Sequence, residues 1–166
     1  MGSSPSSLSL TLLDQDAQPT PDAELIARLT TRIDAESLRG LVDGVVGFVG
    51  GDCDTAFEVR VCLAELHSNA VRHAGGATRV RVWRLSTANR LLVAVGDKCP
   101  RPPRRCADPA LDAEGGRGLV LVEVLACANG HVVHAAGKDV WFAVAIARRP
   151  SRTHPRSATV TGTHGR

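Results

Sequence analysis

The sequence predicts an α+β fold: a two-layer sandwich with helices on one face of a mixed, mostly antiparallel sheet. Three observations carry that expectation. Residues 34–73 hold two consecutive stretches with apolar side chains at helical spacing; TRVRVWRL and RLLVAVGD follow as strand-like runs joined by a short turn; HVVHAA and KDVWFAVAIA form a second such pair. Helices and hairpins that come in blocks place the helices together on one side of antiparallel strands.

The elements follow in order. MGSSPSS is low-complexity, LSLTLL (8–13) alternates enough for a first strand, and DQDAQPTPD breaks structure, so 1–22 reads as a flexible N-terminal segment. Ala23 to Leu29 reads as a short helix. After Asp34, residues Leu38, Leu41, Val42, Val45, Val46 and Val49 recur at helical spacing until Gly50 and Gly51. Gly44 and Gly47 weaken that helix by about 1 kcal/mol each unless close packing uses them. Asp52 or Asp54 can cap the next helix, which runs to about His73 with Val59, Cys62, Leu63, Leu66 and Ala70 as its core face and AGG (74–76) as its end.

In the first hairpin, Val80, Val82 and Leu85 set against Arg79, Arg81 and Arg84 predict one wet face, whereas the nearly all-apolar run 90–97 belongs at the centre of the sheet. Four prolines and three arginines in KCPRPPRRCADPALDAE (98–114) exclude a regular element and mark a lid or binding loop. GGRGLVLVEVLA (115–126) then starts an apolar helix. The folded domain is expected to span 23–147, followed by a disordered basic tail, 148–166.

Composition narrows the function. The 166 residues, 43% hydrophobic and 22% charged, suit one globular domain. No apolar run reaches the roughly 20 residues of a membrane helix and no signal-peptide pattern opens the chain, so no membrane association and a cytoplasmic location are expected. Five cysteines with no Cys-x-x-Cys pair argue against a disulfide framework or a structural zinc site, and Cys62 reads as a small core residue. The formal charge of +3 is misleading, because residues 148–166 contain five arginines and no acid; the remaining 15 basic and 17 acidic residues leave the body at about −2. With the positive charge in a Ser/Thr/Pro/Gly-rich tail and only three Phe and two Trp, direct nucleic-acid binding is not expected.

ELHSNAVRHA (65–74) puts Glu65 and Asn69 one turn apart on the second helix, beside its core face. Such a pair is either a solvated edge or a site, in which an amide oxygen binds Mg²⁺ next to a general base; Mg²⁺ takes hard oxygen ligands and few of them from protein. Asp97 ends the apolar strand and opens the lid. It is either a loop cap or an acceptor for an exocyclic amine. GGRGL offers backbone N–H groups at a helix N-terminus, where phosphate binds readily, but it matches neither a P-loop nor a Rossmann turn.

Taken in order, helix E-x-x-x-N, strand ending in Asp, lid and GGRGL resemble the N, G1 and G2 boxes of the Bergerat-fold (GHKL) ATPases, which include gyrase, MutL and histidine kinases. ELHSNAVRHA and GGRGLVLV look most like the anti-sigma-factor serine/threonine kinases of the RsbW/SpoIIAB type, and KDVWF (138–142) resembles the closing strand of actinobacterial ATP-binding relatives. The resemblance covers about residues 34–147. It implies ATP and Mg²⁺ as cofactors, Asn69 as the Mg²⁺ ligand and Glu65 as the base toward a Ser or Thr hydroxyl. It further implies Asp97 at the adenine amine, Gly116, Gly118 and Leu119 amides at phosphate, and Arg72, His73 and Arg117 near phosphate. Cys99 stands where the G1 box usually has glycine, and Asp139 where relatives often have threonine, a replacement expected to weaken nucleotide contacts. The implied partners are an anti-anti-sigma (STAS-domain) protein, a sigma factor and a second copy of the chain. The other reading is a sequestering module that holds its partner without kinase activity. A histidine-kinase fragment fits less well, because no helix pair with a phosphoacceptor His precedes the domain.

The tail provides a first test. Deleting 148–166 should leave the melting temperature and nucleotide affinity nearly unchanged; a large drop in either would show that the tail packs.

Overall fold

The computed structural model describes residues 22–30, 33–103 and 118–147. The chain runs β1 (Ala23–Leu29), α1 (Ala35–Val49), α2 (Cys53–Ala74), β2 (Ala77–Leu85), β3 (Arg90–Asp97), α3 (Gly118–Leu125), β4 (Ala128–His134) and β5 (Gly137–Ala145). The five strands form one sheet in the order β1-β2-β3-β5-β4, and every pairing is antiparallel. The expected strand at 8–13, most of the lid and the basic tail lie outside the described residues.

The helix boundaries follow the capping chemistry in the sequence. Asp34 caps α1 by accepting from Ser37 N at 2.8 Å, and Gly50 ends it in the left-handed conformation. Asp52, one of the two expected caps, starts α2 by accepting from Thr55 N at 2.9 Å and Thr55 Oγ1 at 3.0 Å. Thr55 Oγ1 in turn accepts from Ala147 N at 3.0 Å, and Asp52 N donates to Ala147 O at 2.9 Å. The end of the last strand is thereby fastened to the start of α2.

Leu38, Val42, Val45 and Val46 of α1 and Val59, Cys62, Leu63, Leu66 and Ala70 of α2 pack on Val80, Val82, Leu91, Val93, Val95, Phe142 and Val144 of the sheet. Val122 of α3 completes this core. Cys62 is fully buried, as expected of a small core residue, and desolvation, with Glu58 and Glu65 nearby, pushes its thiol pKa up to about 12. Gly44 and Gly47 have open space where a side chain would stand, so close packing among the described residues does not explain them.

Two sequence expectations need correcting. Residues 23–29 form a strand rather than a helix. A helix of seven residues is too short to sustain itself in water, whereas the same residues complete the exposed edge of β2, from Ala23 opposite Leu85 to Leu29 opposite Val80, with a bulge between Leu25 and Ala27. Pairing decides the matter over local periodicity.

The second correction concerns the face of β2 that was expected to be wet. Leu85 and Trp83 join Ala23, Leu92, Ala94, Trp141 and Ala143 in a second apolar cluster on the face away from the helices, and Arg81 is buried with them. Arg81 can be buried because Asp139, itself 0% exposed, stands on the same face. Asp139 Oδ2 accepts from Arg79 at 2.8 Å and Arg81 at 3.0 Å, with His134 Nε2 at 3.3 Å, and Arg81 stacks over the Trp83 ring at 5.0 Å. Burial lowers the Arg81 pKa, and the Asp139 charge opposes that shift.

Removing this carboxylate should be costly. Asp139→Ala leaves two arginines facing each other without a counter-charge, and breaking such a buried pair costs about 3–5 kcal/mol. Denaturant unfolding checks this, and a loss under about 1 kcal/mol would contradict the role of Asp139 as the counter-charge.

Candidate functional site

The long helix α2 lays Glu65, Asn69 and Arg72 along one side. Leu66 and Ala70, the residues just after the first two, are buried in the core. Glu65 and Asn69 therefore stand at the margin of the core, each half-buried, rather than on a solvated face. Arg72 and His73 lie exposed in the last turn, where Arg72 donates to Ser68 Oγ at 3.3 Å.

α3 comes to meet this margin. Gly118, its first residue, is buried, and any side chain there would collide with the Glu65 carboxylate. The colliding atom is the movable end of the Glu65 side chain, and the fold thus brings two motifs from distant parts of the chain into contact. Leu119 is half-buried against the core. Gly116 and Arg117 lie outside the described residues.

Asp97 is the last residue of β3 and only 5% exposed. Its Oδ1 accepts from Cys99 N at 2.8 Å, which is the loop-cap geometry, and from Lys138 Nζ at 3.0 Å. Its Oδ2 lies 2.8 Å from the same ammonium, which also donates to Cys99 O at 3.1 Å. Lys138 is 5% exposed and stands directly opposite Asp97 in the β3–β5 ladder. Gly137 holds it there: with φ +145, and with no room for a side chain against the Asp97 carbonyl, the β4–β5 turn closes onto the backbone of 97–98. Beside this pair the Cys99 thiol pKa is lowered, chiefly by its hydrogen bonds with Arg101 and secondarily by the Lys138 charge.

Asp139, which stands where relatives often have threonine, points to the opposite face of the sheet from Lys138. Strand alternation sends residues 138 and 139 to opposite sides, and Asp139 lies among Arg79, Arg81 and His134. It has no part in this site. Lys138 is the residue that sequence reasoning missed. The signal was present, since one of the chain's two lysines sits at a strand start, but its partner could not be read without knowing that β5 lies beside β3.

An open pocket lined by Leu66, Leu119, Val122, Val140, Trp141 and Pro103 lies next to this region, and Leu119 is the expected site residue that contributes to it. Among the described residues no group of three or more His, Cys, Asp and Glu side chains could hold a metal ion on its own. Mg²⁺ at Asn69 would take its other ligands from phosphate and water, as is usual for this ion. The Asp97 carboxylate is already engaged by Lys138 and Cys99.

A family model described as a histidine kinase-like ATPase domain matches residues 28–144, well over half the chain. A search of curated proteins found no match.

The contact between the two helices can be measured. Gly118→Ala should cost about 1 kcal/mol, the work of moving the Glu65 carboxylate off its rotamer to make room for the methyl group. In the double variant with Glu65→Ala most of that loss should be relieved, a coupling of at least about 0.5 kcal/mol in a double-mutant cycle. Additive losses would separate the two residues.

Proposed function

Because the chain belongs to the histidine kinase-like ATPase domain family, we propose that it is an ATP- and Mg²⁺-dependent serine/threonine kinase of the anti-sigma-factor type. Its substrate on this reading is a hydroxyl of an anti-anti-sigma (STAS-domain) protein, whose phosphorylation controls a sigma factor by partner switching. The observation that supports the proposal is the packing of Gly118 against Glu65, which sets the candidate base beside the start of α3.

The chemistry follows from the side chains. Helix α3 directs its first backbone N–H groups toward an anion, and its dipole favours negative charge there. Asn69, one turn from Glu65, offers an amide oxygen to a metal held by the phosphates. Bound Mg²⁺ supplies charge neutralisation across the transferring phosphoryl group. The acceptor hydroxyl oxygen attacks the γ-phosphorus, the bond to the β,γ-bridging oxygen breaks, ADP departs, and the hydroxyl proton passes to Glu65. A half-buried carboxylate suits that task, being shielded from bulk water yet reachable by a docked loop.

The companion proposal is a homodimer through α1, supported by Phe48, 68% exposed, beside the open surface at Gly44 and Gly47. Among the described residues no helix is long and apolar enough to cross a membrane. A second reading, a sequestering module without kinase activity, has one observation in its favour: the engaged carboxylate of Asp97.

Radiolabelled ATP with a candidate STAS protein distinguishes the two. Glu65→Ala should slow transfer by roughly 10²–10⁴-fold, the usual worth of a positioned base, while nucleotide still binds. Asn69→Ala should weaken both Mg²⁺-dependent binding and transfer. Transfer by Glu65→Ala at the wild-type rate would remove the base assignment. Tight partner binding without any transfer by the wild type would favour sequestration.

A further inference from the structure

The base end of the site holds an ion pair that the proposed chemistry does not use. Lys138 Nζ contacts both Asp97 oxygens, at 3.0 and 2.8 Å, and the Cys99 carbonyl at 3.1 Å, while Cys99 N takes a further position on Oδ1. A carboxylate accepts about four hydrogen bonds, and with Asp97 and Lys138 each 5% exposed, solvent hardly reaches the remainder. An exocyclic amine would have to donate to that same carboxylate. The ammonium lies across both of its oxygens and, with the Cys99 N–H, takes three of its roughly four acceptor positions, so the amine and the ammonium compete for Asp97. Nothing in the backbone loosens the ammonium's position, because the glycine turn at 137 packs on the Asp97 carbonyl.

We infer that Lys138 is a specificity-determining plug, whose ammonium must leave Asp97 before the amine of an adenine nucleotide can bind there. The inference rests on the reading of this site as nucleotide-binding. In the plugged state the carboxylate cannot tell a purine with a 6-amino group from one with a 6-oxo group. Discrimination appears only when the lysine swings out, and the work of separating a desolvated ion pair is deducted from nucleotide affinity. A site that reads a substrate donor through a free buried acceptor discriminates strongly, because the wrong ligand leaves that acceptor unpaired. Here the protein supplies its own donor instead.

The test compares ATP with ITP, which has oxygen in place of the 6-amino group, on the full chain by calorimetry with Mg²⁺. Wild type should prefer ATP by only a few-fold. Lys138→Met keeps the length of the side chain and removes its charge, and should raise ATP affinity about tenfold or more without the same gain for ITP. Strong ATP preference in wild type, left unchanged by Lys138→Met, would overturn the plug while leaving the nucleotide site standing. Failure of both nucleotides to bind wild type and a folded Lys138→Met would overturn the nucleotide reading and the plug with it.

A second measurement needs no variant. Lys98 and Lys138 are the chain's two lysines, and Lys98 is exposed, so acylation by an amine-reactive ester followed by mass spectrometry reads each separately. Saturating ATP, with binding confirmed by a melting shift, should speed acylation of Lys138 relative to Lys98 several-fold. An unchanged or slower rate would show that the ammonium stays in place and would overturn the inference.

Discussion

The central position of β3 is the constraint on which the rest of the structure depends. Leu91, Val93 and Val95 face the helices and Leu92 and Ala94 face the other way, all buried. A strand apolar on both sides needs cover above and below and a partner along each edge. β2 supplies one edge through a four-residue turn at 86–89. The other edge goes to β5, which follows β3 in the chain only after residues 98–117, α3 and β4. That crossover sets the end of β3 against the start of β5, which brings residues 97 and 138 together, and returns α3 over α2, which brings residues 65 and 118 together.

The two faces of the sheet solve burial differently. Toward the helices the solution is ordinary, with branched aliphatic side chains interlocked with α1 and α2. The other face places two tryptophans beside a carboxylate and its arginines. Such an arrangement works only if the charges balance locally, since an isolated ion in that setting would cost several kcal/mol. Residues 138 and 139 show how finely the strand separates these tasks. One cation turns toward the site and one anion turns toward the arginines, a single residue apart.

Much of this was legible in the sequence, for reasons that can be named. α1 and α2 were readable because their signals are local: Asp52 or Asp54 as a cap, glycines at 50–51 and 75–76 as ends, and an apolar stripe between. β3 was readable because an uninterrupted apolar run has few other uses. Residues 23–29 were misread because their fate depends on an edge of β2 that sequence does not display. The same blindness to pairing hid the burial of Arg81 and the partner of Asp97. Glu65 and Asn69 were readable as a pair through helical periodicity, and their motif resemblance agrees with the family match. What periodicity could not provide was the contact with Gly118, which needs the three-dimensional return of α3.

The seam between β3 and β5 also bears on how the molecule assembles. The β2–β3 and β4–β5 hairpins are each made of near neighbours, and such units zip in about 1–10 μs. Joining them closes a loop across the lid, α3 and β4, with residues 41 positions apart meeting at Asp97 and Lys138. Loop-closure entropy makes that docking the natural bottleneck of folding, as non-local pairings generally are. The sheet is then completed by the same event that buries the ammonium on the carboxylate. Until the two hairpins dock, the chain has separate halves and no base site at all.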